Sequence, residues 1–129
     1  MNDKGIGFPP RIGGRGQVAG RTVGHHGPAV VALGGGHGLS MSLKALRRLA
    51  DDVTAIVGVA DDGGSSGRIR SELGLPPPGD LRMALAALCG DDAWGRTWSQ
   101  VIQHRFGGEG ELAGHSLGNL LITALWEQS

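Results

Sequence analysis

The sequence predicts an α/β fold with parallel strands, and three observations carry that prediction. Val30-Val31-Ala32-Leu33 is a short, β-rich apolar run closed by Gly34-Gly35-Gly36, the form of a fully buried parallel strand. Leu39, Leu43, Leu46 and Leu49 then recur at helical spacing, with Lys44, Arg47 and Arg48 on the other side. Val53 to Val59 supplies a second apolar run after Asp51-Asp52, completing a β-α-β unit with a right-handed crossover preference.

The elements that follow are shorter. "ADDGGSSGRIR" (60–70) reads as a flexible Gly/Ser turn, and Ile69 to Leu73 as a short helix stopped by Gly74. Pro76-Pro77-Pro78 holds the chain extended. Asp80 stands where an N-cap belongs, ahead of a helix from Leu81 to Leu88. Trp94, Trp98, Val101, Ile102 and Phe106 line one face of a further helix, which places the tryptophans in the core. Gly107-Gly108-Glu109-Gly110 separates it from a last helix over 116–127. Two strands are too few to cover these helices, so the pattern predicts the N-terminal part of a longer protein or a chain that borrows a partner's surface.

Composition narrows the partners. The 129 residues suit one domain, and 12 basic side chains cancel 12 acidic ones. No field of one sign draws the chain to nucleic acid or an anionic membrane, and a small polar ligand fits better. No apolar stretch is long enough to span a membrane, and the N-terminus has no secretory pattern, so a cytoplasmic protein is expected. The single cysteine, Cys89, lies in an apolar run and reads as a small buried hydrophobe in a reducing compartment. Glycine is in excess, 25 residues, and part of the excess sits in 1–27, read as a disordered Gly/Arg-rich tail ahead of the folded part, 28–129. His25-His26 belongs to that tail and lacks further ligands at zinc spacing.

Three loops carry chemistry. "LGGGHGLS" (33–40) joins strand to helix, where free backbone N–H groups and the helix dipole favour an anion. It matches neither the dinucleotide fingerprint nor the Walker loop, and its rival reading is a tight packing turn. Asp61 and Asp62 leave the neighbouring strand at the same carboxyl edge, where open parallel sheets bind ligands. A ribose hydroxyl, a nucleobase amine or a magnesium ion would partner them, a capping pair being the alternative; the sequence does not separate the two aspartates. Gly63-Gly64-Ser65-Ser66-Gly67 satisfies the nucleophile-elbow pattern, with Asp80 and His115 in hydrolase order. Asp-Asp-Gly-Gly intervenes before Ser65, which argues against a strained elbow. In "GHSLGNLL" (114–121), His115 and Ser116 cap a helix with Asn119 one turn in, and the first-turn N–H groups offer a second anion contact beside simple capping.

In this order, "VVALGGGHGLS", "VTAIVGVADDGGSSGRIRSELG", "PPPGDLRMALAAL" and "QHRFGGEGELAGHSLGNLL" resemble the YvcK-like branch of the CofD/YvcK superfamily, the gluconeogenesis factors, over residues 29–126. The resemblance implies a Rossmann-like three-layer α/β core, truncated here after its first few elements. It implies a non-enzymatic regulator that binds a nucleotide sugar such as UDP-N-acetylglucosamine, or another phosphorylated metabolite, and serves growth on gluconeogenic carbon sources and cell shape. It places Gly34, Gly35, Gly36, His37, Gly38, Asp61, Asp62, Asp80 and Asn119 around a nucleotide-diphosphate crevice; Ser65, His115 and Ser116 complete the candidate set. Many members have threonine where this chain has His37, so an imidazole would meet the phosphate or base instead of a hydroxyl. No cofactor is required on this reading, and a homo-oligomer is compatible with it. The alternative is a transferase of the CofD branch, which moves a phospholactate or phosphoenolpyruvyl unit onto a deazaflavin in coenzyme F420 synthesis and implies magnesium.

Overall fold

The computed structural model describes residues 27–129. The expected tail lies outside them apart from Gly27, whose amide donates to Asp51. Seven elements follow in order: β1 (Ala29–Gly34), α1 (Gly36–Leu46), β2 (Asp52–Val57), α2 (Gly64–Leu73), α3 (Gly79–Leu88), α4 (Ala93–Gln103) and α5 (Leu117–Trp126). β1 and β2 pair in parallel, from Ala29 opposite Asp52 to Gly34 opposite Val57. The predicted β-α-β unit is present.

Packing follows the apolar spacing of two helices. Leu39 and Leu43 of α1 meet Ala84 and Ala87 of α3, and this layer lies on Ala32, Val53, Ala55 and Val57 of the sheet. The alternate strand residues Val31, Leu33 and Ile56 are more than half exposed. The strands are therefore covered on one face only by the described residues, because α1 and α3 lie over the same side. The chain supplies a parallel sheet and one helical layer of a Rossmann-like α/β core.

Several boundaries differ from the sequence reading for local reasons. α1 begins at Gly36, so Gly36, His37 and Gly38 form its first turn rather than a loop ahead of it. It ends at Leu46, and the amides of Leu49 and Ala50 fold back on the Leu46 carbonyl, which leaves Leu49 exposed. The Gly/Ser stretch is not a flexible turn: α2 starts at Gly64, and Asp61 accepts from the Gly63 amide at 2.8 Å just ahead of it. Gly74 then ends α2 in the left-handed region at φ +67°. α3 starts one residue before Asp80, with Pro78 as N-cap and the Arg82 amide bonded to the Pro78 carbonyl at 2.9 Å. Asp80 is released from the capping role assigned to it.

The tryptophans are not core. Trp94 is 70% exposed and Trp98 37%, stacked edge to face at 5.5 Å on the outer side of α4. α4 instead seats its buried Gly95 against Gly90 and ties Ser99 to the Ala86 carbonyl. Asp92 caps this helix through the Gly95 amide. Cys89 is only half-buried, since it follows the last residue of α3, and its thiol lies 3.4 Å from the Leu85 carbonyl. Past α4 the chain folds back on itself, with Arg105 bridged to Ser116 and the Phe106 amide bonded to the His115 carbonyl. That fold-back brings the start of α5 beside α2. No helix among the described residues is long and apolar enough to cross a membrane.

Candidate functional site

Four segments converge beyond the carboxyl ends of the two strands. The first turn of α1, the β2–α2 connection with the start of α2, the first turn of α3 and the start of α5 enclose a cavity of about 250 Å³. Gly36 and Asp61, from the two strand-end turns, both line it. Gly36 has φ +56°, a conformation that side chains resist, and it turns β1 directly into α1. At Gly79 an added Cβ would overlap the Asp61 carboxylate and the Ser66 hydroxyl, so only glycine lets α3 approach the acid this closely.

A buried polar chain runs under the cavity. Arg82 donates from Nε to Asn119 Oδ1 at 3.0 Å. Asn119 Nδ2 donates to Ser65 Oγ at 3.0 Å and to Ser66 Oγ at 3.3 Å. Ser66 in turn donates to Asp61 Oδ2 at 2.8 Å. Arginine only donates and a carboxylate only accepts, so the orientation of the amide and of the hydroxyl between them is fixed. Burial lowers the pKa of Arg82 and neighbouring Arg105 adds to this, while Asp61 opposes it. The terminal amino groups of Arg82 have no protein partner among the described residues, and Arg82 lines the cavity. They are free donors for an anion.

The two aspartates are separated by their partners. Asp61 turns inward to Gly63 and Ser66, whereas Asp62 is exposed and pairs with Arg70 at 2.7 Å. Asp80 lines the cavity with its carboxylate against Gly35, close to the positive end of α1, and accepts no hydrogen bond among the described residues. Asp61 and Asp80 are thus the two carboxylates placed to meet a ligand hydroxyl, an amine or a cation.

Ser65 and His115 do touch, at 2.9 Å between Oγ and Nδ1. Arg68 Nε, however, donates to His115 Nε2 at 3.1 Å. The neutral ring must therefore carry its proton on Nδ1 and donate to Ser65, the reverse of what a general base does. Burial, then the nearby Arg68 charge, push the His115 pKa down; Glu72 pulls it up, and Arg105 adds a smaller downward push. Arg68 is itself held by the Ala113 and Glu111 carbonyls at 2.9 Å each. A guanidinium occupies the place of a triad carboxylate, so Ser65 and His115 are not arranged as a hydrolase triad.

Of the residues singled out in the sequence, the cavity gathers Gly36, His37, Asp61, Ser65, Asp80 and Asn119. Gly34, Gly35 and Gly38 shape the strand-to-helix passage without lining it, and Asp62 points away. His115 and Ser116 lie buried behind Ser65. Ser116 occupies the N-cap position of α5, but its side chain makes no capping bond and its hydroxyl has no partner among the described residues. Sequence reasoning missed Arg82, Ser66 and Arg105 as cavity residues. Arg82 did leave a signal: a cation in the first turn of a helix opposes the macrodipole.

This fold, with a polar cavity at the strand ends, has a known family. The family model for the 2-phospho-L-lactate transferase CofD matches residues 30–129, and the chain belongs to that family, in its YvcK-like branch. Among the relatives it matches are the "Putative gluconeogenesis factor" of Mycobacterium leprae, 67% identical over 100 residues, and the "Gluconeogenesis factor" of Bacillus subtilis, 51% identical over 98. These matches cover 78% and 76% of this chain but 28% and 30% of the relatives, so the chain spans less than a third of their length. The crystal structure of a Bacillus halodurans protein superimposes with a TM-score of 0.69 at 48% identity, over 78% of this chain and 32% of that one.

Proposed function

We propose that this chain forms part of a nucleotide-sugar site, with a UDP-N-acetylglucosamine-like ligand, in a regulator that is not an enzyme. One observation carries the reading: a single cavity holds the first turn of α1, the free amino groups of Arg82 and the carboxylates of Asp61 and Asp80. The N–H groups and the guanidinium suit a diphosphate; the carboxylates suit sugar or ribose hydroxyls. His37, on the first turn of α1, replaces a hydroxyl contact with an imidazole donor. At about 250 Å³ the cavity is smaller than the roughly 300–1,000 Å³ of whole-ligand pockets. It accommodates the diphosphate and one flanking group, the rest of the ligand lying beyond its mouth. Growth on gluconeogenic carbon sources and maintenance of cell shape are the cellular roles such binding would serve, the first supported by the relatives' names.

Calorimetric titration with UDP-N-acetylglucosamine tests this, beside Asp80→Ala, a change that removes no protein hydrogen bond. Saturable heat that the variant loses is the expected result. The absence of both heat and thermal shift at millimolar ligand would reject the proposal. The transferase reading is favoured by one feature, the two cavity carboxylates, Asp80 being free of protein donors. Asp61 and Asp80 would hold a magnesium ion shared with ligand phosphates, and the ion would neutralise phosphate charge. Consumption of a deazaflavin acceptor with release of GMP decides for that reading, and no turnover decides against it.

A further inference from the structure

A second and larger cavity, of about 540 Å³, lies at the other end of α1. It shares no residue with the first. Lys44, Arg47 and Arg48 reach it from the last turn of α1 and just beyond, and Arg96 from α4 closes the far wall. Against these four cations stands one carboxylate, Asp91. The chain as a whole carries equal numbers of acids and bases, so this concentration of positive charge is a product of the fold.

Asp91 does not satisfy the cluster. Its carboxylate accepts from Arg47 and, at 3.4 Å, from Arg48, while Arg96 donates to the Asp91 backbone carbonyl. Arg47 is largely covered, its side chain 18% exposed, and its Nε is buried with no partner among the described residues. Arg47 and Arg48 share the one Asp91 carboxylate, which leaves positive charge uncompensated at the cavity, and an oxygen-rich anion would balance it. Lys44 is exposed at the rim and makes no ion pair among the described residues. Alanines 86 and 87 and Met41 give the cavity an apolar floor.

We propose that the cavity between the C-terminal end of α1, the α3–α4 connection and α4 is a second ligand site, for a phosphorylated small molecule. A phosphate or diphosphate supplies the two or more negative charges that three unmatched cations call for, and guanidinium groups match its oxygens in pairs. The volume suits a whole small molecule. The apolar floor suits the part that carries the phosphate. This site is independent of the one at the strand ends.

The test is titration of the chain with inorganic pyrophosphate at fixed ionic strength, read by calorimetry. Two variants are compared with the parent: Lys44→Gln with Arg48→Gln at this cavity, and His37→Ala with Arg105→Gln at the strand-end cavity. All four side chains are exposed, so neither variant removes buried packing. Binding that weakens about tenfold or more in the first variant and persists in the second supports the second site. Binding lost only in the second variant belongs to the strand-end cavity and overturns the proposal. So does an absence of saturable binding at millimolar pyrophosphate, or equal weakening in both variants.

Discussion

Asn119 is where the site and the stability of the chain meet, and Asn119→Ala exposes the connection. The side chain is 2% exposed and holds three hydrogen bonds. The bond from Arg82 involves a buried charge, and its loss costs about 2 kcal/mol. Ser65 and Ser66 keep His115 and Asp61 as partners, so each loses only about 0.5 kcal/mol. The sum is about 3 kcal/mol, a melting temperature lower by about 12–20 °C in a domain of this size. Urea unfolding followed by tryptophan fluorescence and circular dichroism measures it. Thr123→Val is the control: that hydroxyl makes one local bond, to the Asn119 carbonyl at 2.8 Å, and its loss costs about 1 kcal/mol. If Asn119→Ala cost no more than Thr123→Val, the polar chain from Arg82 to Asp61 would not be an energetic unit.

Three further outcomes follow from the same geometry. Gly79→Ala should destabilise by more than about 1 kcal/mol, although alanine is ordinarily the better helix residue by about that amount, because the new methyl must displace Asp61 and Ser66; denaturant unfolding reads the sign. His115 has a lowered pKa when folded, so protons bind the unfolded chain preferentially: stability is full above about pH 6.5 and falls as the pH drops below it. Unfolding midpoints across pH 5–8 should show that slope, and His115→Gln should flatten it. Asp62→Asn breaks only an exposed pair with Arg70 and should change stability by less than about 1 kcal/mol, whereas Asp61→Asn should weaken nucleotide-sugar binding; parallel calorimetry of the two separates them.

The strand-helix-strand order and the inward positions Leu39 and Leu43 were legible because apolar periodicity reports burial directly. The same rule misplaced Trp94 and Trp98, since a helical stripe says which residues share a face but not which face meets the core. It also overstated the strands, whose continuous apolar runs read as buried on both sides while the described helices cover one. Asp61 and Asp62 are equivalent as letters. Their division came from backbone geometry, in which Asp61 bonds the amide just ahead of α2 while Asp62 reaches Arg70 in the last turn of that helix. Lys44, Arg47 and Arg48 read only as the side of the helix opposite the leucines, because nothing in their spacing announces that Asp91 and Arg96 line a cavity with them.

The polarity of the chain beneath the strand-end cavity restricts what the cavity is able to hold. Asn119 has no freedom to flip, since its Oδ1 faces a group that only donates, and Ser66 must spend its proton on Asp61. Asp61 and Arg82 are thereby fixed in place before any ligand arrives, which removes much of the ordering cost of binding. One end presents free N–H donors and the other free carboxylate lone pairs, separated by a buried amide and a hydroxyl. A ligand that is only an anion satisfies Arg82 and meets repulsion from Asp61 and Asp80; one that is only a polyol leaves the terminal amino groups of Arg82 without a charged acceptor. On the proposed reading, the best complement carries phosphate and hydroxyl on one molecule. Inorganic pyrophosphate should therefore bind this cavity more weakly than a nucleotide sugar does, and the reverse order in calorimetry would contradict the arrangement described.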